Sequence, residues 1–143
     1  MEDEQVDELA RAVDARVQAL DEGRDPARLF GVRLRDEGFV LVPFWSGVAR
    51  EIPYALAPPD GCVAIALDTG GWAAPLDDMK GGMRPSLHPR RRHLHQTTLV
   101  YGPAGHDVSV LSYDDGETQI LRGSVGVVPH RMRACWARRR VVL

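Results

Sequence analysis

The sequence predicts an α+β domain in which N-terminal helices pack on a curved antiparallel sheet or a small, partly closed barrel. An amphipathic stripe runs through residues 4–21, and short apolar runs separated by turn residues follow from residue 39 onward. The chain has 143 residues, the usual length of one domain. We therefore expect residues 1–143 to form a single domain, with a helical part over residues 1–38 and a strand-rich part over residues 39–143.

The first helix is predicted over residues 4–21. Apolar side chains recur there at spacings of three and four residues, which places them on one helical face. They are Val6, Leu9, Val13, Val17 and Leu20. We expect Leu9, Val13 and Val17 to anchor the helix in the core.

A second, shorter helix is predicted between Asp25 and Gly38. Asp25 is a good N-cap, Pro26 suits a first helical turn, and Gly38 ends the segment. Its apolar side chains are Leu29, Phe30, Val32 and Leu34.

The remainder of the chain reads as short strands. They are predicted over residues 39–42, 62–67, 97–101, 108–113, 117–121, 125–128 and 132–137. Pro43 confines the first of them to a sheet edge or ends it, because proline has no N–H to donate. The sequence Asp114-Asp115-Gly116 predicts a hairpin with a type I′ turn. The Gly- and Pro-rich segment 68–89 predicts a long, mobile loop.

Composition excludes several classes of protein. Two cysteines are too few for a cysteine-rich secreted scaffold, and we expect Cys62 and Cys135 to be buried and inert. No apolar run approaches the roughly 20 residues that a membrane span needs. The start, Met1-Glu2-Asp3-Glu4, is acidic where a secretory signal is basic. These features favour a cytoplasmic protein with no membrane partner.

The net charge of −2 hides an uneven distribution. Residues 1–80 contain 16 acidic and 8 basic side chains, whereas residues 81–143 contain 4 acidic and 10 basic ones. The candidate binding residues are the arginines Arg90, Arg91, Arg92, Arg131, Arg133, Arg138 and Arg140. If the strands order as predicted, Arg90 to Arg92 lead into one strand and the other four arginines belong to the terminal strand or its entry. These arginines then make one positive surface, since side chains two apart on a strand share a face.

This surface predicts a non-enzymatic function. We expect a small regulatory or assembly domain that binds a protein or an anionic ligand through a basic C-terminal sheet. The acidic partner can be a second copy of the chain, through the Glu2-to-Glu8 end of the first helix. Nucleic acid is a further possible partner, with Trp136 as a base-stacking residue.

Three histidines support a different hypothesis, a divalent metal site. His93 and His95 are two apart on a predicted strand, so both imidazoles project from one face, and His130 follows a later strand. The pair His93-Leu94-His95 followed by His130 resembles the ligand pattern of a small cupin barrel, over about residues 90–135. The resemblance implies a metal-dependent enzyme with these three ligands, although the cupin glutamate has no counterpart here.

The third hypothesis rests on Asp68-Thr69-Gly70, which follows an apolar strand. The tripeptide resembles the catalytic motif of retroviral-type aspartic proteases. The resemblance implies a dimer in which each chain contributes Asp68 to activate a water molecule. The alternative is an Asp-initiated turn, in which the carboxylate bonds to backbone amides two residues on.

Overall fold

A computed structural model describes residues 2–20, 27–73 and 89–140. The helices are α1 (Asp3–Ala19) and α2 (Val127–Ala137), and a short 3₁₀ helix covers Ala49–Glu51. The strands are β1 (Ala27–Arg35), β2 (Gly38–Gly47), β3 (Ala64–Ala73), β4 (Arg92–Tyr101), β5 (His106–Tyr113) and β6 (Thr118–Arg122).

The six strands form one open antiparallel sheet in the order β2-β1-β3-β4-β5-β6. Consecutive side chains of β3 enter different cores: Ala64 and Ala66 face α1, whereas Ile65 and Leu67 face α2. The sheet therefore lies between the two helices, with one helix on each face. The α+β prediction is confirmed, and the sheet is open, not closed into a barrel.

Helix α1 packs through the predicted stripe. Val6, Val13 and Val17 are fully buried, together with Ala10. Leu9 is partly buried at the edge of this core. Leu20 follows the helix and is 47% exposed, so it is not an anchor. At the start of the helix, the Glu2 N–H donates to Gln5 Oε1 at 3.0 Å, which closes the first turn.

The prediction of a second N-terminal helix is wrong, because this segment forms β1. Phe30 and Val32 pack in the α1 core, whereas Leu29 packs in the α2 core. A strand covered on both faces has apolar side chains at consecutive positions, which hides the alternating pattern of a strand. Asp36 and Glu37 then form the turn into β2.

Strand β2 lies at the edge of the sheet, as Pro43 predicted. Its pairing with β1 shifts register between Leu29 and Phe30, where the partners change from Trp45 to Pro43. The edge strand thus has an irregular hydrogen-bonding ladder.

The Asp-Gly hairpin joins β5 to β6, but its turn is longer than predicted. The Gly116 N–H donates to the Tyr113 carbonyl at 3.0 Å, and the Tyr113 N–H donates to the Glu117 carbonyl at 2.9 Å. Gly116 has a φ of +88°, and no non-glycine residue in the described part of the chain has a positive φ. A type I′ turn needs two such residues, so this hairpin uses one glycine after an ordinary turn.

The predicted strands at residues 125–128 and 132–137 are also wrong, because α2 occupies this segment. Met132, Cys135 and Trp136 are buried against the sheet, and their spacing of three and one is helical. Pro129 falls in the first turn of α2, where its missing N–H has no acceptor to lose.

The predicted loop 68–89 begins later than expected. Residues 68–73 belong to β3 and pair with β4, so they are not a loop. Residues 74–88 lie outside the described residues. Neither described helix is long and apolar enough to cross a membrane. Cys62 is half-buried and Cys135 fully buried, both as free thiols, and burial raises the pKa of Cys135 to about 11.

Candidate functional site

A network of polar side chains lies between α1 and the sheet. Asp14 projects from the buried face of α1 and is 5% exposed. Its carboxylate accepts hydrogen bonds from His95 Nδ1 at 2.9 Å, Thr97 Oγ1 at 2.8 Å and Ser112 Oγ at 2.9 Å. His95 and Thr97 belong to β4, and Ser112 belongs to β5. One carboxylate therefore ties α1 to two strands.

Asp68 on β3 extends this network to the neighbouring strand β1 on the same side of the sheet. It is 3% exposed, and one carboxylate oxygen accepts a hydrogen bond from Arg28 Nε at 2.8 Å. His95 Nε2 donates to its other oxygen. Arg28 lies opposite Asp68 in the register of β1 and β3, so the backbone pairing brings the two charges together.

His95 is charged in the folded protein. Burial by itself lowers the pKa of His95, but the hydrogen bonds and charges of Asp14 and Asp68 outweigh it and raise the pKa to about 9. Burial by itself also raises the pKa of Asp14. The hydrogen bonds from His95 and from the two hydroxyl groups reverse that effect and hold the pKa of Asp14 below 3.8.

The network is satisfied by its own members. Asp14 accepts a further hydrogen bond from Gln18 Nε2 at 2.8 Å, and both ring nitrogens of His95 are bound to carboxylates. A general base needs an unprotonated nitrogen facing its substrate, and His95 has none. We therefore interpret the network as a structural one that holds α1 on the sheet.

The three histidines of the metal hypothesis do not converge. His93 lies on the same strand as His95, as predicted, and contacts Asp114 at 3.2 Å. His130 lies on α2, on the other face of the sheet, and its ring meets that of Tyr54 edge-on at 6.1 Å. Within the described ranges, no three His, Cys, Asp or Glu side chains are placed to hold one metal ion. This geometry gives the cupin-like hypothesis no support.

Asp68-Thr69-Gly70 lies inside β3 rather than in a turn. The three residues pair in register with Thr97, Gln96 and His95. The Asp68 carboxylate is occupied on both oxygens by partners within the chain, as described above. It is therefore not presented to a water molecule in the way that the protease hypothesis needs.

The predicted arginine surface separates into two parts. Arg90, Arg91 and Arg92 lie at the start of β4, and Arg92 bonds Asp115 at 2.7 Å and Glu117 at 3.1 Å. Helix α2 meets the other end of that strand, where Trp136 Nε1 donates to the Gly102 carbonyl at 2.8 Å. The ten residues of β4 span about 30 Å. The two sets of arginines therefore do not form one surface.

Arg131 and Arg133 do not share a face, because they lie on a helix and not on a strand. Residues two apart on a helix point in nearly opposite directions. Arg131 Nη1 donates to the Ile52 carbonyl at 2.8 Å on one flank of α2. Arg133 Nη1 reaches Ser124 O at 3.2 Å and Asp107 Oδ1 at 3.4 Å on the other flank.

Four arginines lie on α2 or directly after it, one in the middle of the helix and three beyond its last residue, and we call them the C-terminal arginine cluster. They are Arg131, Arg138, Arg139 and Arg140. The guanidinium of Arg131 stacks 4.3 Å from the ring centre of Tyr54, and Arg138 Nε donates to the Tyr54 carbonyl at 2.6 Å. Arg139 stacks 4.4 Å from the ring centre of Trp136. Trp136 is 3% exposed, so it is not available to stack on a base.

Most of this positive charge has no acidic counterpart. Arg131, Arg138 and Arg139 donate to the neutral carbonyl groups of Ile52, Tyr54 and Trp136, respectively. None of the three forms a salt bridge with a described residue. Arg140 lies 3.7 Å from Asp60, and both of these side chains are largely exposed. Among the residues that the structure describes, no carboxylate compensates the charge of Arg131, Arg138 or Arg139.

The sequence reasoning identified Asp68 and His95 separately but missed Asp14, Arg28 and the two hydroxyl groups. A signal for Asp14 was present, because it sits among Ala10, Val13 and Val17 on the buried stripe of α1. A carboxylate in that position needs a partner across the interface. Arg28 was hidden by the interpretation of β1 as a helix.

Comparison with known proteins adds no assignment. No protein-family model matches the chain, and no match was found among the curated proteins or among the solved structures.

Proposed function

We propose that this protein is a small, non-enzymatic regulatory or assembly domain that binds an acidic protein partner through the C-terminal arginine cluster. The observation that carries the proposal is the unbalanced charge at this end of the molecule. Residues 118–143 contain six arginines and no acidic residue, and of the six, Arg122 and Arg133 pair with Asp7 and Asp107. The hydrogen bonds of the cluster go largely to neutral acceptors, so its charge is left to attract an anion from outside.

The surface suits a protein partner better than a small ligand. Met132, Cys135 and Trp136 face the sheet, Arg131 lies on a flank of α2, and Arg138 and Arg140 are exposed just beyond its last turn. The outer side of a helix is convex, whereas small-molecule sites are concave and mostly apolar. Arginine is also enriched at protein interfaces, where its planar group binds carboxylates in a bidentate fashion.

The proposal includes a cytoplasmic location. Both cysteines are free thiols. Reducing compartments keep thiols in this state, which supports that location.

Binding to poly-L-glutamate tests the proposal. We expect the wild-type protein to bind, and R138Q/R140Q to bind about tenfold more weakly, because two exposed charges of the cluster are removed. The matched variant R11Q/R35Q loses the same charge from α1 and the end of β1, and we expect it to retain binding. The variant R138K/R140K keeps the charge, so it should bind nearly as well as the wild type.

Circular dichroism and thermal melting of each variant establish that the fold is intact. Equal binding by R138Q/R140Q and the wild type, or equal loss in the matched variant, would contradict the proposal. Either result means that the cluster is not the surface that attracts the acidic partner.

A further inference from the structure

We infer that the C-terminal arginine cluster of one molecule binds the acidic start of α1 of a second molecule, so that copies of the chain associate head to tail. This inference rests on the proposed function, because it names the partner of the same surface. It begins with the charges of α1. The exposed carboxylates of its first two turns are Glu2, Asp3, Glu4 and Glu8.

Three of these carboxylates, those of Asp3, Glu4 and Glu8, are available to a partner, whereas Glu2 accepts a hydrogen bond from the backbone of the first turn. Asp7, in the same two turns, is bound internally to Arg122 on β6. None of the four forms a salt bridge within the described part of the chain. Glu4 and Glu8 are one helical turn apart, so their side chains lie side by side on the outer face of α1. The start of α1 thus carries an exposed acidic patch.

The acidic patch and the arginine cluster cannot neutralise each other within one molecule. Helix α1 packs on one face of the sheet, and α2 packs on the other. The sheet therefore separates the two charged surfaces. Each surface is open only to a partner from outside, and the chain itself supplies a partner of the opposite charge.

The same charges disfavour symmetric pairing. Two copies that met through α2 would bring arginine against arginine, and two that met through α1 would bring carboxylate against carboxylate. Only the unlike surfaces attract. A contact between two different surfaces is heterologous, and it continues into a chain of molecules unless the rotation closes a ring.

Sedimentation velocity tests this association in the wild-type protein at low and high salt. Raising the ionic strength from about 0.01 M to about 1 M shortens the screening length from about 30 Å to about 3 Å. We expect species larger than a dimer at low salt and high protein concentration, and monomers at high salt. Association through an apolar interface would not respond to salt in this direction.

Two variants each weaken one side of the contact. E4Q/E8Q neutralises two of the four carboxylates of the acidic patch, and R138Q/R140Q neutralises two of the four arginines of the cluster. We expect each variant alone to associate about tenfold more weakly than the wild type. An equimolar mixture should form mainly a species of two chains, because one intact acidic patch meets one intact cluster and the two outer surfaces both have half of their charge removed. The control D36N/E37Q removes two acidic charges from the β1–β2 turn and should associate as the wild type does.

The outcomes separate this inference from the proposed function. A wild-type protein that binds poly-L-glutamate but stays monomeric at low salt overturns head-to-tail association and leaves the proposed function standing. Failure of both assays overturns both. Association that survives unchanged in E4Q/E8Q, or a mixture of the two variants that stays monomeric, also overturns the inference.

Discussion

Four charged side chains meet between α1 and the sheet, two of them anions and two of them cations. Asp14 and Asp68 are almost fully buried, while His95 and Arg28 keep about a fifth of their side-chain surface exposed. Burying charged groups costs free energy, and removing one member of such a set leaves its partner uncompensated. The stability of the folded state consequently depends on the protonation of His95 and Asp14.

We predict a stability maximum in mildly acidic solution. The pKa of His95 rises from 6.5 to about 9 on folding, so its contribution is fully present below pH 6.5 and is lost as the pH rises through 9. The pKa of Asp14 is lowered, so its contribution is present above pH 3.8 and is lost as the pH falls further. We expect the free energy of unfolding to fall by roughly 3 kcal/mol between pH 6.5 and 9. Urea denaturation across this range measures it.

Two histidine variants make this prediction specific. H95Q removes the titrating group, so the stability of this variant should change little between pH 6.5 and 9. H93Q removes the other histidine of β4, which contacts the exposed Asp114, and it should keep the wild-type pH dependence. A steep alkaline decline in H95Q would show that another group is responsible.

Among the elements, α1 is attached through a narrow stripe of small side chains. We predict that V13D unfolds the protein or lowers its melting temperature strongly, since Val13 is fully buried and a new carboxylate there has no partner. A15D introduces the same group two residues away, at an exposed position of the same helix, and should change the melting temperature little. Similar thermal melts for the two variants would show that this stripe does not hold α1 to the sheet.

The elements also show what the sequence could predict. The stripe of α1 and the strands around residues 39–42, 97–101 and 108–113 were predictable, because apolar periodicity or turn residues mark them. Helix α2 was not, because its valine-rich start resembles a strand and its arginines hide the helical spacing of its three buried residues. β1 was not, because tertiary packing covers both of its faces.

The same limit applies to the candidate site. His95 and Asp68 were recognisable as chemical groups, but their meeting depends on the register of β3 and β4 and on the position of α1. The arginines were predicted as a set, and the change from strand to helix redistributed them. The sequence thus indicated which side chains carry polar or charged chemistry, whereas the topology of the fold determines which of them contact one another.

At the scale of the whole molecule, a single sheet packs against a hydrophobic core on each of its two faces. β3 and β4 contribute buried side chains to both faces, through Leu99 on the α1 side and Val100 on the α2 side. We predict a single cooperative unfolding transition, because both cores pack on the same strands and the loss of one core destabilises the sheet on which the other packs. Tryptophan fluorescence, to which Trp136 and Trp45 of the α2 core both contribute, should give the same urea midpoint as far-ultraviolet circular dichroism. Separate midpoints would show that the two layers unfold independently.

The edge at β2 has a consequence for the behaviour of the protein at high concentration. An unpaired strand edge invites further strands from other chains, which is a route to aggregation and amyloid. Pro43 offers no N–H at this edge, and the register shift beside it distorts the ladder. A foreign strand therefore finds no regular row of donors and acceptors along β2. Pro43 and the register shift therefore disfavour fibril growth from this edge.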